Sequence, residues 1–202
     1  MSKAFTREDA EPPEDLDAEE ENPIPPGSRN YMTPDGARRL RDELRWLVNA
    51  ERPEITGIVS WAAKNGDRSE NGDYLYGKKR LREIDKRIRY LTRRLENTEV
   101  VDPATREDTD QVFFGATVEY TVNGGPSQVV TIVGIDETDL TRGRISWVSP
   151  VARSVIKARE GDTVTLHTPE GNKELEILEV RYEAVPIDAF QPVRSTWSPN
   201  VK

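Results

Sequence analysis

The chain contains no cysteine, one histidine (His167) and two methionines among 202 residues. The missing cysteines exclude disulfides and thiolate metal sites. A single histidine excludes multi-histidine zinc centres, and with no cysteine or serine motif beside it His167 reads as an ordinary surface or core side chain. No apolar run approaches the roughly 20 residues that a membrane-spanning helix needs. The opening residues Met1-Ser2-Lys3-Ala4-Phe5-Thr6-Arg7-Glu8-Asp9 lack the apolar core of a secretory signal. These absences leave a soluble cytoplasmic protein with no membrane partner as the expectation.

What is present is charge, and it is unevenly spread. The formal net charge is -8. Residues 1–30 hold three basic and nine acidic side chains, residues 31–101 sixteen and twelve, and residues 102–183 eight and fifteen. An acidic total therefore hides a basic middle segment. Residues 1–30 are also proline-rich and poor in apolar side chains, a composition that cannot offset the entropy of ordering; it predicts a disordered acidic tail. Hydrophobic content of 35% against 33% charged residues implies a modest core divided over one or two small domains.

Residues 31–103 read as a helical hairpin. Thr33 suits an N-cap, Pro34 the first helical position and Asp35 the positive end of the helix dipole. Leu40, Leu44 and Leu47, then Ile55, Ile58 and Ala62, recur at helical spacing. Pro53 lacks a backbone donor and predicts a kink or restart between them. Beyond a short polar turn, Tyr74, Gly77, Leu81, Ile84, Ile88, Leu91 and Leu95 alternate three and four apart, a heptad seam. Two stripes joined by a short turn predict an antiparallel coiled coil closed within the chain. A bundle packed against the remaining residues would show the same stripes. The second arm, of 25 residues, spans roughly 37 Å at the helical rise. Off the seam, Lys78, Lys79, Arg80, Arg82, Lys86, Arg87, Arg89, Arg93 and Arg94 fall within seventeen residues, interrupted by Glu83 and Asp85. Such a run either solvates and braces the coil or steers it along a polyanion, whether nucleic acid (DNA included) or an acidic channel wall. Tyr74 and Tyr76 fit stacking on a base or simple packing.

After a polar linker at residues 104–111 the period changes to two. Residues 112–122 and 127–135 predict strands around the hairpin turn Asn123-Gly124-Gly125. Further strands are expected at Arg144–Val148, Thr163–His167 and Glu174–Tyr182. Ser149 and Pro150 open a short helix running to about Arg159. The expected fold class is α+β: a coiled-coil hairpin followed, over residues 112–183, by a small antiparallel sheet with one helix. Residues 184–202 read as an extended, proline-containing tail.

The turn itself is Asn65-Gly66-Asp67-Arg68-Ser69-Glu70-Asn71-Gly72-Asp73-Tyr74. Glycine and asparagine suit a plain polar bend whose acids cap the next helix. The same acids are hard oxygen donors for Mg²⁺ or Mn²⁺, but their spacing is not that of a calcium-binding loop and they are too few for a closed site. Carboxylates carried at the end of a long arm fit a metal whose other ligands come from another molecule.

The turn resembles the hairpin tip of the bacterial Gre transcript-cleavage factors. Glu51-Arg52-Pro53-Glu54 before it and Lys78-Lys79-Arg80-Leu81-Arg82-Glu83-Ile84-Asp85 after it are similar to theirs, and the basic second arm resembles the GreB branch. Ile145-Ser146 with Ser149-Pro150, and the turn Thr168-Pro169-Glu170-Gly171, resemble the family's C-terminal domain. The resemblance covers roughly residues 31–183. It implies an FKBP-like C-terminal domain without isomerase activity, docked on RNA polymerase through Ser149, Pro150 and Val151. It implies a hairpin passed through the polymerase secondary channel to the nascent RNA 3′ end, with Lys78, Lys79, Arg80, Arg82, Lys86 and Arg87 facing the RNA or the channel. Asp67 and Glu70 match the acidic pair that shares a catalytic Mg²⁺ with the polymerase, an ion the free tip is not expected to hold tightly. Ser69, Asn71, Asp73 and Tyr74 match tip-positioning residues. On this reading the protein is a monomer when free and is not itself an enzyme; it stimulates the polymerase's own cleavage of backtracked RNA. Val148 departs from the acidic or amide residue common before the Ser-Pro pair, and Gly72 from the alanine common at its position. The alternatives are a secondary-channel regulator of initiation without cleavage activity, and a nucleic-acid-binding coiled coil whose acidic tip is only a turn.

Overall fold

The structure, a computed structural model, describes residues 24–25, 27–64, 71–107 and 109–192. Asp67, Ser69 and Glu70, most of the expected N-terminal tail and the last ten residues lie outside these. Among the described residues no helix is long and apolar enough to cross a membrane.

The hairpin follows from its caps and its seam. Helix α1 (Pro34–Trp46) starts at Thr33, whose Oγ1 accepts from the Gly36 N–H at 3.2 Å. A π-helical turn at Leu47–Glu51 separates it from α2 (Arg52–Ala62). Pro53 stands at the head of α2, where its missing donor is tolerated. The expected restart is thus a π turn that absorbs the change of register ahead of the proline. Helix α3 (Gly72–Glu96) runs back along the first arm. The seam is the predicted one. Leu40, Leu47, Ile55, Ala62, Ile84 and Leu91 are buried, and Leu44, Ile58, Leu81, Ile88 and Leu95 pack against them. The arms approach closely at Gly77, where a Cβ would lie 2.5 Å from Val59 Cγ2. Any larger residue there would push the arms apart next to the tip.

Two strands close the base of the hairpin. β1 (Asn30–Met32) pairs in parallel with β2 (Thr98–Val100). β1 begins at Asn30, the last residue that composition assigns to the tail. Asn30 is buried, and its Nδ2 donates to the Arg94 carbonyl at 2.9 Å.

The C-terminal domain is one five-stranded sheet in the order β5-β4-β3-β7-β6: β3 (Ala116–Val122), β4 (Ser127–Val133), β5 (Arg144–Ser146), β6 (Thr163–Thr168) and β7 (Gly171–Tyr182). Three of its pairings are antiparallel as expected, but β4 and β5 are parallel. Residues 134–143 form a crossover through two 3₁₀ turns instead of a hairpin, so β5 enters in the same direction as β4. The expected helix after Ser149 is shorter, α4 (Pro150–Val155). Ala152 and Val155 of α4 join Val118, Ile132, Leu175 and Ile177 in the core. His167 is exposed, with Nδ1 2.8 Å from Asn172 Oδ1.

The two parts meet at a buried carboxylate. Glu137, on the β4–β5 crossover, is 3% exposed. It accepts from the Thr33 N–H at 3.0 Å, from the Thr33 hydroxyl and from the Gly134 N–H at 2.6 Å. Its Oε1 occupies the space of a side chain at Gly36, where a Cβ would stand 1.7 Å away. Beside it Arg94 Nε bonds Asp136 at 2.9 Å, with both side chains nearly buried, and the Tyr90 hydroxyl donates to the same carboxylate. Burial, reinforced by Asp136, pushes the Tyr90 phenol up to about 12. Tyr31 packs against Phe114 and edge-on to Trp147 across the same joint.

Burial also raises the Glu137 carboxyl above its ordinary range, against the lowering effect of the Thr33 and Gly134 hydrogen bonds. The folded chain therefore binds this proton more tightly than the unfolded chain. Its contribution to stability is fully present below the usual glutamate range and is lost as pH rises through the raised folded value. Glu137→Gln should flatten that part of the stability–pH curve in denaturant titrations. Glu137→Ala strands the Thr33 and Gly134 donors and should cost on the order of 3 kcal/mol, measured the same way at neutral pH.

Candidate functional site: the distal end of the hairpin and its basic arm

The described part of the tip is held by Asn71. Its Oδ1 accepts from the N–H groups of Asp73 at 3.1 Å and Tyr74 at 3.2 Å, capping α3. Its Nδ2 donates to the Ala62 carbonyl at 3.0 Å, at the end of α2. One side chain thus caps the returning arm and ties it to the outgoing arm, fixing both ends of the turn that carries Asp67, Ser69 and Glu70. Asp73 lies in the first turn of α3, where its charge meets the positive end of the helix dipole. Tyr74 is half-buried, with Lys78 Nζ 5.6 Å from its ring centre. Trp61, Leu75 and Tyr76 are exposed large side chains next to the turn. Among the described residues no group of three His, Cys, Asp or Glu could hold a metal ion.

The structure divides the expected basic face. Arg80 turns inward: its Nε bonds Glu51 Oε1 at 2.9 Å and its Nη1 bonds Glu83 at 3.0 Å. Glu51 sits in the π turn and its side chain is 5% exposed. Arg87 makes a two-pronged pair with Glu43 at 2.6 and 2.8 Å and lies over the Tyr90 ring at 5.0 Å. The Glu43 hydrogen bond outweighs partial burial and raises the Arg87 pKa further, so the guanidinium stays charged. Arg52 of α2 pairs with Asp85 at 2.8 Å. Arg80 and Arg87 are therefore braces between the arms as well as members of a cationic face. Lys78, Lys79 and Lys86 are exposed, and Arg82 is half-buried. Sequence spacing gives no sign of this division, because the partners Glu43 and Glu51 lie 44 and 29 residues away.

In the C-terminal domain, Ser149 Oγ accepts from the Ala152 N–H at 3.2 Å and caps α4. Pro150 is exposed and Val151 half-buried against the domain core. The three residues thus lie together at the N-terminal end of a short helix, some with surface to offer.

Substitutions at Asn71 and Arg80 separate bracing from contact. Asn71→Asp keeps the cap but loses the bond to Ala62, whereas Asn71→Ala loses both and should cost about 1–2 kcal/mol. Amide exchange at Asp73, Tyr74 and Leu75 should accelerate in the alanine variant and stay slow in the aspartate variant. Arg80→Ala leaves the buried Glu51 charge alone and should destabilise the hairpin by about 3 kcal/mol in thermal unfolding. Lys79→Ala should leave the melting temperature unchanged.

Two family models match this chain. The description "Transcription elongation factor, N-terminal" covers residues 30–100, the hairpin with its closing strands. The description "Transcription elongation factor, GreA/GreB, C-term" covers residues 107–182. The chain is 65% identical over 155 residues to transcription elongation factor GreB of Neisseria meningitidis serogroup B, covering 77% of this chain and 95% of that protein. It is 47% identical over 163 residues to transcription elongation factor GreB of Yersinia pestis, covering 81% and 94%. Among solved structures it is similar to GreA factor homolog 1 (Gfh1) of Thermus thermophilus, at 23% identity and a TM-score of 0.36 over 76% of this chain and 99% of that one. With both halves matched in order and relatives of this identity over nearly their whole length, the chain belongs to the GreA/GreB family of transcription elongation factors.

Proposed function

We propose that this chain acts on RNA polymerase by carrying the Asp67–Glu70 turn on its hairpin through the secondary channel to the nascent RNA 3′ end. There it stimulates the polymerase's own cleavage of backtracked transcripts and lets elongation resume. The observation that carries this reading is the pairing of an acidic turn, Asp67-x-x-Glu70, with a 25-residue return helix locked to its partner arm at both the seam and Asn71.

Asp67 and Glu70 supply carboxylate oxygens, the donor type Mg²⁺ takes. Two carboxylates fill only part of its coordination, which suits an ion shared with the polymerase and not one resident on the free protein. A second Mg²⁺ held there would stabilise the attacking and leaving oxygens of the phosphodiester. Asn71 fixes the C-terminal end of the turn. Ser69, Asp73 and Tyr74 orient it. Lys78, Lys79 and Lys86, with Arg82, line the route for RNA or for an acidic wall, while Arg80 and Arg87 keep the arm straight. Ser149, Pro150 and Val151 form the docking contact on the polymerase. The protein contributes side chains in trans and has no enzymatic activity of its own; it works in the cytoplasm and is a monomer when free.

RNA cleavage by backtracked polymerase complexes tests this reading directly. Asp67→Ala and Glu70→Ala should each reduce stimulated cleavage on the order of 100-fold while still competing with the wild-type protein for polymerase. If both variants stimulate cleavage as the wild type does, the tip has no role at the metal, and regulation of initiation becomes the better account.

A further inference from the structure

Residues 183–192 follow the last strand and contain no helix or strand, yet they are bonded to both halves of the molecule. On the C-terminal domain, Arg142 Nη2 donates to Asp188 at 2.9 Å and Arg144 Nη2 donates to the Pro186 carbonyl at 2.7 Å. On the hairpin, the Phe190 ring lies 5.6 Å from the Trp46 ring, and the Ile187 N–H donates to Asp35 at 3.4 Å. Ile187 is 8% exposed, so the segment is seated and not merely adjacent. The Arg142 guanidinium holds the Asp188 carboxyl below its usual range, with smaller help from the charges of Arg144 and of Arg39 on α1. The matched family sequence ends at residue 182, one position before the segment begins.

An arm of this length makes the angle at its base matter. A tilt of 10° about the joint moves the end of a 37 Å arm by roughly 6 Å, whereas reacting groups tolerate a misplacement of roughly 1 Å. The joint already has the Glu137 bonds, but these cluster on one side, at the start of α1. Trp46 stands at the far end of α1, more than three helical turns along. A contact there resists rotation about the Glu137 anchor.

We propose that residues 183–192 are a strap that fixes the angle of the hairpin on the C-terminal domain, with Asp188 and Phe190 as positioning residues for the tip. The structural half of this proposal stands on the free protein; its consequence for cleavage rests on the function proposed above.

The absence of cysteine allows clean labelling. Spin labels at Ser60→Cys on α2 and Ser127→Cys on β4, both exposed, report the angle as a distance distribution in the free, full-length chain. The strap predicts one narrow distribution for the full chain and for a chain ending at Pro192. It predicts a distribution about twofold broader for a chain ending at Glu183 and for the full-length double variant Asp188→Ala with Phe190→Ala. Circular dichroism checks that the shortened chain folds, and if it does not, the double variant decides. An unchanged width in the double variant, or in a folded chain ending at Glu183, overturns the proposal. If the correct angle is then held only about a fifth of the time, the concentration giving half-maximal transcript cleavage should rise about fivefold. A loss of cleavage with unchanged distances would count against the strap, and broadened distances with no cleavage by any form would count against the proposed function alone.

Discussion

The buried Glu137 carboxylate is the constraint around which the molecule is arranged. It sits where the start of α1 and the sheet crossover both present backbone donors. Removing a carboxylate from water is costly unless every donor nearby is used. Here the Thr33 and Gly134 donors converge on it. The N-cap residue of α1 is thereby also an anchor of the C-terminal domain, so the start of the hairpin and the crossover of the sheet are joined by one hydrogen-bonded cluster. The absence of a side chain at Gly36 is part of the same arrangement, because the carboxylate fills that space. Arg94 and Asp136 extend the cluster with a second, nearly buried ion pair that links α3 to the crossover. Both helical arms are thus fastened to the same ten-residue connection.

Charge on the second arm has two uses, and only the structure separates them. Nine cations against two acids in seventeen residues suggests a uniformly positive face. Arg80, Arg87 and Arg94 instead meet acids at the π turn, on α1 and on the crossover. These contacts fall at three levels along the arm, from near the tip to the base. An arginine can bridge such a gap because its fork binds a carboxylate at two points, as Arg87 does with Glu43. The lysines at 78, 79 and 86, whose point charges are strongly hydrated, lie on the exposed side. For Arg80, Arg87 and Arg94 the role follows the chemistry of the guanidinium, which suits a place where geometry must be fixed.

Much of the fold was legible because it rests on local rules. The seam from Tyr74 to Leu95 has the 3.5-residue period of a coiled coil, and Gly77, Ile84 and Leu91 along it are buried, with Leu81 and Ile88 partly so. Thr33-Pro34 and Ser149-Pro150 are cap sequences, and both cap helices. Asn123-Gly124 has positive φ at both residues, the conformation a two-residue hairpin turn demands. What stayed hidden depends on long-range partners. β1 and β2 are three residues each, too short for periodicity. The parallel direction of β5 is decided by the path of the crossover. Glu137 is an unremarkable acid in sequence until Thr33, 104 residues away, is placed beside it. Phe190 lies in a segment whose prolines read as a loose tail, and only Trp46 shows that it is seated. At the described end of the turn, the bond from Asn71 to the Ala62 carbonyl had no signal in the sequence, because it joins residues nine apart across the turn.

The arrangement of anchors also explains how so short an acidic turn can be placed so far from the body of the protein. A turn is positioned by its ends, and the entropy of closing it is small when those ends are already held together. The seam brings α2 and α3 together along their length, and Gly77 lets them approach closely just before the turn. Asn71 then joins the last carbonyl of α2 to the first amides of α3. Position therefore passes from the Glu137 cluster through the base of the hairpin, along the arginine braces and the seam, to a single asparagine beside the acids. Each step is a short, directional contact within a stiff helix pair.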